Sequence, residues 1–364
     1  MPETTERPAD VQLDASDRRR LRHLRSRGGD APDTISNTES YWRRTLAVAY
    51  LDLLDDLAAD DPKLAAEMSG GAPLLVDRVR LSTDDPWRSD LEFYSYQAYS
   101  WAVRASCCRL AGRLRDADFA LAQALDVVER GGNVALWARG EIMRRRAILL
   151  AHVAGPDVAF QAAEDAVDLC READFKPGVA DSLILLGALL AGCGEAGKAC
   201  ACNVAALSLV EGSGARATRT RTAVVINLAQ SLSECGDLKQ LKQAALALRQ
   251  ELKKTRHREQ RGRILWAIGR IELRMGATRS AARRFRSAVR QLAESSDPTL
   301  IRLAEDCLRA RDGFSQADLI DVLRLLDQSA VGHELPEAVE AWNDAIIAYR
   351  FRQSSVSRPA RNAR

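Results

Sequence analysis

Between Leu265 and Val289 the chain reads LWAIGRIELRMGATRSAARRFRSAV: two apolar stripes of helical period on either side of Gly276. Gly269 lies seven residues before that glycine; Ala281, Phe285 and Ala288 lie five, nine and twelve after it. The pattern predicts a helix, a tight turn and a second helix. Small residues where the two cross let their axes approach to about 8–10 Å.

The same spacing recurs. Gly112, Gly155, Gly194, Gly236 and Gly276 follow one another at 43, 39, 42 and 40 residues. Ala117, Ala159, Ala199, Leu241 and Ala281 are spaced 42, 40, 42 and 40, and Ala124, Ala166, Ala206, Leu248 and Ala288 repeat those intervals. Two positions seven apart stay in step through five units, so the chain is read as stacked helical hairpins that bury their apolar sides against one another. In the fourth unit leucine replaces both helix B alanines.

Upstream, Trp42, Leu46, Ala49, Tyr50, Leu53, Leu54 and Leu57 recur at helical spacing, with a break at Asp60-Asp61-Pro62. Gly70, Gly71 and Pro73 are read as one loop and Thr83–Pro86 as another. Downstream, Asp297-Pro298 starts a helix through Cys307, Ser315 or Gln316 starts another, and Pro336 opens a last one carrying Val339, Trp342, Ala345, Ile346 and Tyr349. The reading divides the chain into a disordered basic arm at 1–39, a helical cap at 40–88, five hairpins at 89–296, a second helical cap at 297–352 and a disordered tail at 353–364. Within the arm, a short helix around Asp17–Arg27 carries a run of arginines from Arg18 to Arg27, read as a solvated tail rather than a nucleic-acid contact.

The unit resembles the tetratricopeptide repeat, which places a leucine and a small residue mid-helix A, a glycine at the turn and alanines seven apart in helix B. Ile268, Gly269, Gly276, Ala281, Phe285 and Ala288 carry the match in the fifth unit, and Leu186, Gly187, Gly194, Ala199 and Ala206 in the third. The units are longer than the basic repeat, as in long-repeat members. The resemblance implies an all-α fold, a right-handed α-α superhelix (a tetratricopeptide-like solenoid) closed by the helical caps. It also implies that helix A residues line a concave groove, which in the fifth unit are Arg263, Trp266, Arg270 and Arg274. The lysine and asparagine pattern of the family's carboxylate clamp is not reproduced: Asn227 fits one position, but Ala223 and Gln230 do not complete the set.

Charge changes this picture at one place. Overall the chain is only +3, but residues 250–292 hold thirteen Lys or Arg and three Glu. Three guanidiniums beside an indole are suited to carboxylates or phosphates. On helix B, Arg279, Arg283, Arg286 and Arg290 are read as a solvated outer face. Tyr94, Tyr96, Tyr99 and Trp101 are read as packing under the N-terminal cap.

Chemistry adds little. GCGEAGKA at 192–199 approximates a phosphate-binding loop, but a helix precedes it and Ala199 stands where a hydroxyl is needed, so it is read as a repeat turn. The eight cysteines are read as core residues in a reducing compartment. No histidine pairs with another ligand at metal spacing, and the acidic pairs Asp55-Asp56, Asp60-Asp61 and Asp84-Asp85 are read as caps and solvated ends. No cofactor, metal or catalytic residue is assigned. The N-terminal sequence has no apolar core for a secretory signal, and no run is long enough to span a membrane. The sequence is therefore read as a cytoplasmic, non-catalytic scaffold or adaptor for a protein or peptide, biased toward acidic partners at the fifth repeat. The alternative is a regulator or sensor of the same type that binds a signal peptide, or nucleic acid through its basic C-terminal half.

Overall fold

The computed structural model describes residues 13–37, 42–82, 86–131, 133–210, 215–236, 238–255, 258–293 and 299–327. Among them no strand occurs, and the chain divides into two compact units, 1–231 and 232–364, with the boundary inside one helix. The expected helix at Pro336 and the expected tail lie outside the described residues.

The first unit opens with α1 (Ala15–Arg27) and α2 (Ala31–Asn37). The disordered arm expected at 1–39 is thus helical over much of its length. Asp14 caps α1 by accepting from the backbone N–H groups of Ser16 and Asp17 at 2.7 and 2.8 Å. Leu24, Ala31 and Ile35 are buried in the unit's core, which the arginine-rich composition around them conceals. Next come α3 (Arg44–Asp60), α4 (Pro62–Ser69) and α5 (Gly71–Arg80). Asp61 caps α4 and Pro62 sits in its first turn, where a missing N–H costs nothing. The loop expected at Gly70–Pro73 is instead the start of α5: Pro73 lies in the first turn, and Gly71 packs beside Ile35 and Pro32.

Three hairpins follow: α6 (Asp90–Leu110) with α7 (Leu114–Gly131), α8 (Leu136–Val153) with α9 (Pro156–Glu172), and α10 (Lys176–Gly192) with α11 (Ala196–Leu209). α12 (Ala215–Cys235) packs on α10 through Val224 and through Thr220, whose hydroxyl donates to Asp181 at 2.9 Å; the boundary between the units falls near its end. The second unit holds α13 (Leu238–Lys254), then α14 (Arg258–Arg274) paired with α15 (Thr278–Leu292). It closes with α16 (Thr299–Arg309) and α17 (Gln316–Asp327), both packed on α15.

The repeat register is physical. All ten helix B positions named above are at most 1% exposed, the two leucines included. Gly112, Gly155, Gly194 and Gly276 take positive φ of 76–96°, the left-handed region that closes an α-α turn without a Cβ clash. Gly194 is therefore the turn between α10 and α11, and Ala199 behind it is fully buried, so residues 192–199 form a hairpin corner. Gly269 is required for a different reason: a Cβ there would lie 2.4 Å from the Phe285 ring, so the glycine sets how closely α14 and α15 cross. The turn from α9 to α10 uses no glycine. Asp174 takes φ 50°, while Phe175 N–H closes onto the Cys170 carbonyl at 2.9 Å.

The aromatic cluster packs as expected under the N-terminal helices. Trp87 stacks on Tyr96 at 4.8 Å, and Trp137 meets the edges of Tyr96 and Tyr99 at 5.3 and 5.5 Å. The cysteines divide. Cys107, Cys108, Cys170 and Cys307 are buried, but Cys193 and Cys235 are exposed, because each lies at the end of a helix rather than on its packed face. Among the described residues no group of His, Cys, Asp and Glu is arranged to hold a metal ion, and no helix is long and apolar enough to cross a membrane.

Candidate functional site

On α14 two glycines a heptad apart, Gly262 and Gly269, face Leu292 and Phe285 of α15. This fixes which way the rest of the helix points. Trp266 turns into the core of the second unit, where it is 1% exposed, and donates its indole N–H to Asp306 Oδ2 of α16 at 2.8 Å. One turn on, Arg270 lays its guanidinium 5.8 Å from the Trp266 ring. It reaches Glu234 at 2.8 Å and Asp306 at 3.4 Å. Arg309 holds the other Asp306 oxygen at 3.2 Å. Asp306 itself is 4% exposed, so its charge is balanced within the protein by two arginines and an indole.

The four residues expected to line a groove therefore do not form one open surface. Trp266 and Arg270 come together, but on Asp306. The expectation that the indole faces a partner is corrected here, because α16 covers that part of α14 and satisfies its one donor. Arg263 is half-buried and Arg274 is exposed at the end of α14.

The arginines of α15 divide as well. Arg286 pairs with Asp318 and with Asp321 (3.2 Å), and Arg290 reaches Asp321 at 2.7 Å. These two pin α17 to α15 and are not merely a solvated face. The hydrogen bond from Arg290 is the main influence holding the Asp321 carboxyl below the usual range, with partial desolvation acting against it and Arg286 adding to it. In contrast Arg274, Arg279 and Arg283, together with Lys242 on α13, are exposed and form no ion pair among the described residues.

Beside the turn of this hairpin lies a recess of about 390 Å³ between that turn and α13. Ala245, Leu246, Met275 and Ala277 supply its apolar lining, and Lys242 and Arg249 its cations. Glu272 also lines it and is 5% exposed. Its Oε1 accepts from Arg249 at 3.1 Å and lies 3.7 Å from Arg284 Nε, whereas Oε2 is buried without a hydrogen-bond partner.

The first unit holds an ionic cluster that sequence reasoning missed. Arg145 of α8 is 5% exposed and pairs with Glu141 one turn earlier, with Asp55 of α3 at 3.1 Å and with the Tyr99 hydroxyl of α6 at 3.4 Å. Burial opposes its charge, but Asp55, Tyr99 and Glu141 outweigh burial and keep the guanidinium firmly protonated. Asp55, read from sequence as a solvated acid, is thus a tie between the N-terminal helices and the first two hairpins. The available signal was the spacing of Glu141 and Arg145 by four on an otherwise apolar face that includes Trp137.

No protein-family model and no curated protein matches the sequence. Solved structures similar in backbone include the following two. One is a Rap protein complexed with Competence and Sporulation Factor, at 12% identity and a TM-score of 0.47, over 93% of this chain and 97% of that one. The other is a Signal Transduction ATPase with Numerous Domains protein with a tetratricopeptide repeat sensor, from Pyrococcus horikoshii, at 12% identity and a TM-score of 0.35. This chain is 93% covered in that alignment and spans 49% of that protein. The class is defined by the helices themselves: consecutive antiparallel hairpins, glycine turns of positive φ and buried small residues seven apart in helix B. The described residues form an all-α helical-repeat fold whose hairpins resemble tetratricopeptide repeats.

Proposed function

We propose that the protein is a non-catalytic scaffold or adaptor that holds a protein or peptide on its helical hairpins and receives acidic segments at the fifth. The observation that carries this reading is the sorting of cations in the second unit. Arg270, Arg286 and Arg290 are committed to carboxylates of the chain itself, while Lys242, Arg274, Arg279 and Arg283 are exposed without one among the described residues. Uncompensated charge of one sign steers an oppositely charged partner and selects against others, even where each exposed pair adds little affinity. Of the groove set expected from sequence, Arg274 remains as the exposed contact, with Arg263, Trp266 and Arg270 belonging to the helix that presents it.

The test is fluorescence anisotropy of the full chain with a labelled glutamate-rich peptide and with labelled random duplex DNA, at low and moderate salt. The expected result is binding of the peptide that weakens with salt and is lost in Arg274→Glu/Arg279→Glu but kept in Arg146→Glu, an exposed arginine of the first unit. Equal peptide binding by both variants overturns the site. Tight DNA binding with a steep salt slope and no peptide binding overturns the reading in favour of nucleic acid.

A further inference from the structure

We infer that the recess beside the Met275–Ala277 turn receives one apolar side chain of the acidic segment, so that the partner's recognition element is an aliphatic or aromatic residue flanked by carboxylates. This inference rests on the reading above and adds the class of partner residue. Two features of the same place carry it.

The first is the lining. Leu246 is 58% exposed, although Leu241 and Leu248 of the same helix are buried at 1% and 0%. It lines a recess whose other apolar walls are alanine and methionine. At about 390 Å³ the space is at the small end of ligand sites, enough for a side chain or two. Methionine at such a wall adapts to more than one shape.

The second is the surrounding charge. Lys242 lines the recess, and Arg274 and Arg279 bracket the turn that forms one side of it. None is paired among the described residues. An apolar group that entered with carboxylates on either side would place its charges toward them.

The experiment uses the full chain and two labelled peptides of identical acidic sequence, one with a central leucine and one with serine in its place. The expected result is about tenfold tighter binding of the leucine peptide, the scale of burying one aliphatic side chain. Leu246→Ser and Ala277→Trp, both at exposed positions and neither changing the charge, bring the leucine peptide down to the serine peptide and leave the latter unchanged, with the helical circular dichroism of both variants unaltered. Equal affinity for the two peptides in the wild type overturns the inference and leaves the acidic-partner reading standing. A leucine preference that survives both variants overturns the recess as its source. Absence of binding to either peptide overturns both.

Discussion

Trp266 on α14 and Asp306 on α16 are joined inside the second unit by a 2.8 Å hydrogen bond from the indole N–H to Oδ2. The bond explains why a tryptophan next to a line of arginines is not a binding-surface residue. Its large apolar body is buried, and its one donor is satisfied by a carboxylate that two arginines also hold.

Removing that carboxylate should be severe. Asp306→Ala leaves a buried indole N–H without an acceptor and frees Arg270 and Arg309 from their shared anion. The expected loss is about 3 kcal/mol in urea unfolding followed by tryptophan fluorescence. Asp306→Asn keeps one acceptor for the indole and should lose roughly half as much. Equal losses in the two variants would show that the charge, not the hydrogen bond, carries the contribution.

Two glycines of the α14–α15 hairpin should respond to alanine for opposite reasons. At Gly269 the added Cβ meets the Phe285 ring at 2.4 Å, and that ring is fully buried and cannot swing away. Overpacking should outweigh alanine's helix preference of roughly 1 kcal/mol, for a net loss of about 1–2 kcal/mol. Phe285→Leu in the same chain should restore part of it. At Gly276 nothing lies within 4 Å, but φ is +78°, so Gly276→Ala should cost about 1 kcal/mol through the backbone alone. No second change at Phe285 should alter that cost. A double-mutant cycle on each glycine with Phe285 separates the two mechanisms.

The repeat was legible because its signal is redundant: ten helix B positions and five turn glycines had to agree, and any one could fail without hiding the period. Gly236 did stand apart, since it alone of the five is absent from the positive-φ glycines. The candidate site was legible only in part. Helical spacing places Trp266 and Arg270 on one face of α14, but it does not say that α16 lies over that face, because Asp306 is forty residues away and its helix carries no repeat signature. The same limit hid Arg145 and Asp55, which are ninety residues apart. Composition misled at the N-terminus, where six arginines drew attention from Leu24 and Ile35, which bury the segment. At α15 the spacing by four, three and four was read correctly as a face, but the acids that cover half of it belong to α17.

Docking of α17 on α15 should depend on pH. Asp321 is held below its ordinary carboxylate value in the fold, chiefly by the hydrogen bond from Arg290. A carboxylate depressed on folding contributes stability that is fully present above the unfolded value, about 3.9, and is lost as pH falls through the lower folded value. The stability of the wild type should therefore fall more steeply below about pH 4 than that of Asp321→Asn, which should begin lower at neutral pH. Urea midpoints measured from neutral to strongly acidic pH check this. Parallel acid limbs would mean that the Arg290 and Arg286 pairs contribute nothing to holding α17.

The thiols should sort by burial. All eight cysteines are free, with Cys193 and Cys235 exposed, Cys200 and Cys202 half-buried, and the other four buried. The thiolate is the reactive form, so both access and proton affinity matter. Burial pushes the Cys170 thiol up to about 12 and the Cys307 thiol well above its ordinary value; Cys107 is raised in the same way, with Asp55 adding to it. At neutral pH these three should resist alkylation in the fold and react only in denaturant. Cys193 and Cys235 should be labelled first, and mass spectrometry of digested protein after brief iodoacetamide treatment identifies them. Labelling of Cys307 at the rate of Cys235 would mean that α16 opens readily from α15, and with it the cover over Trp266.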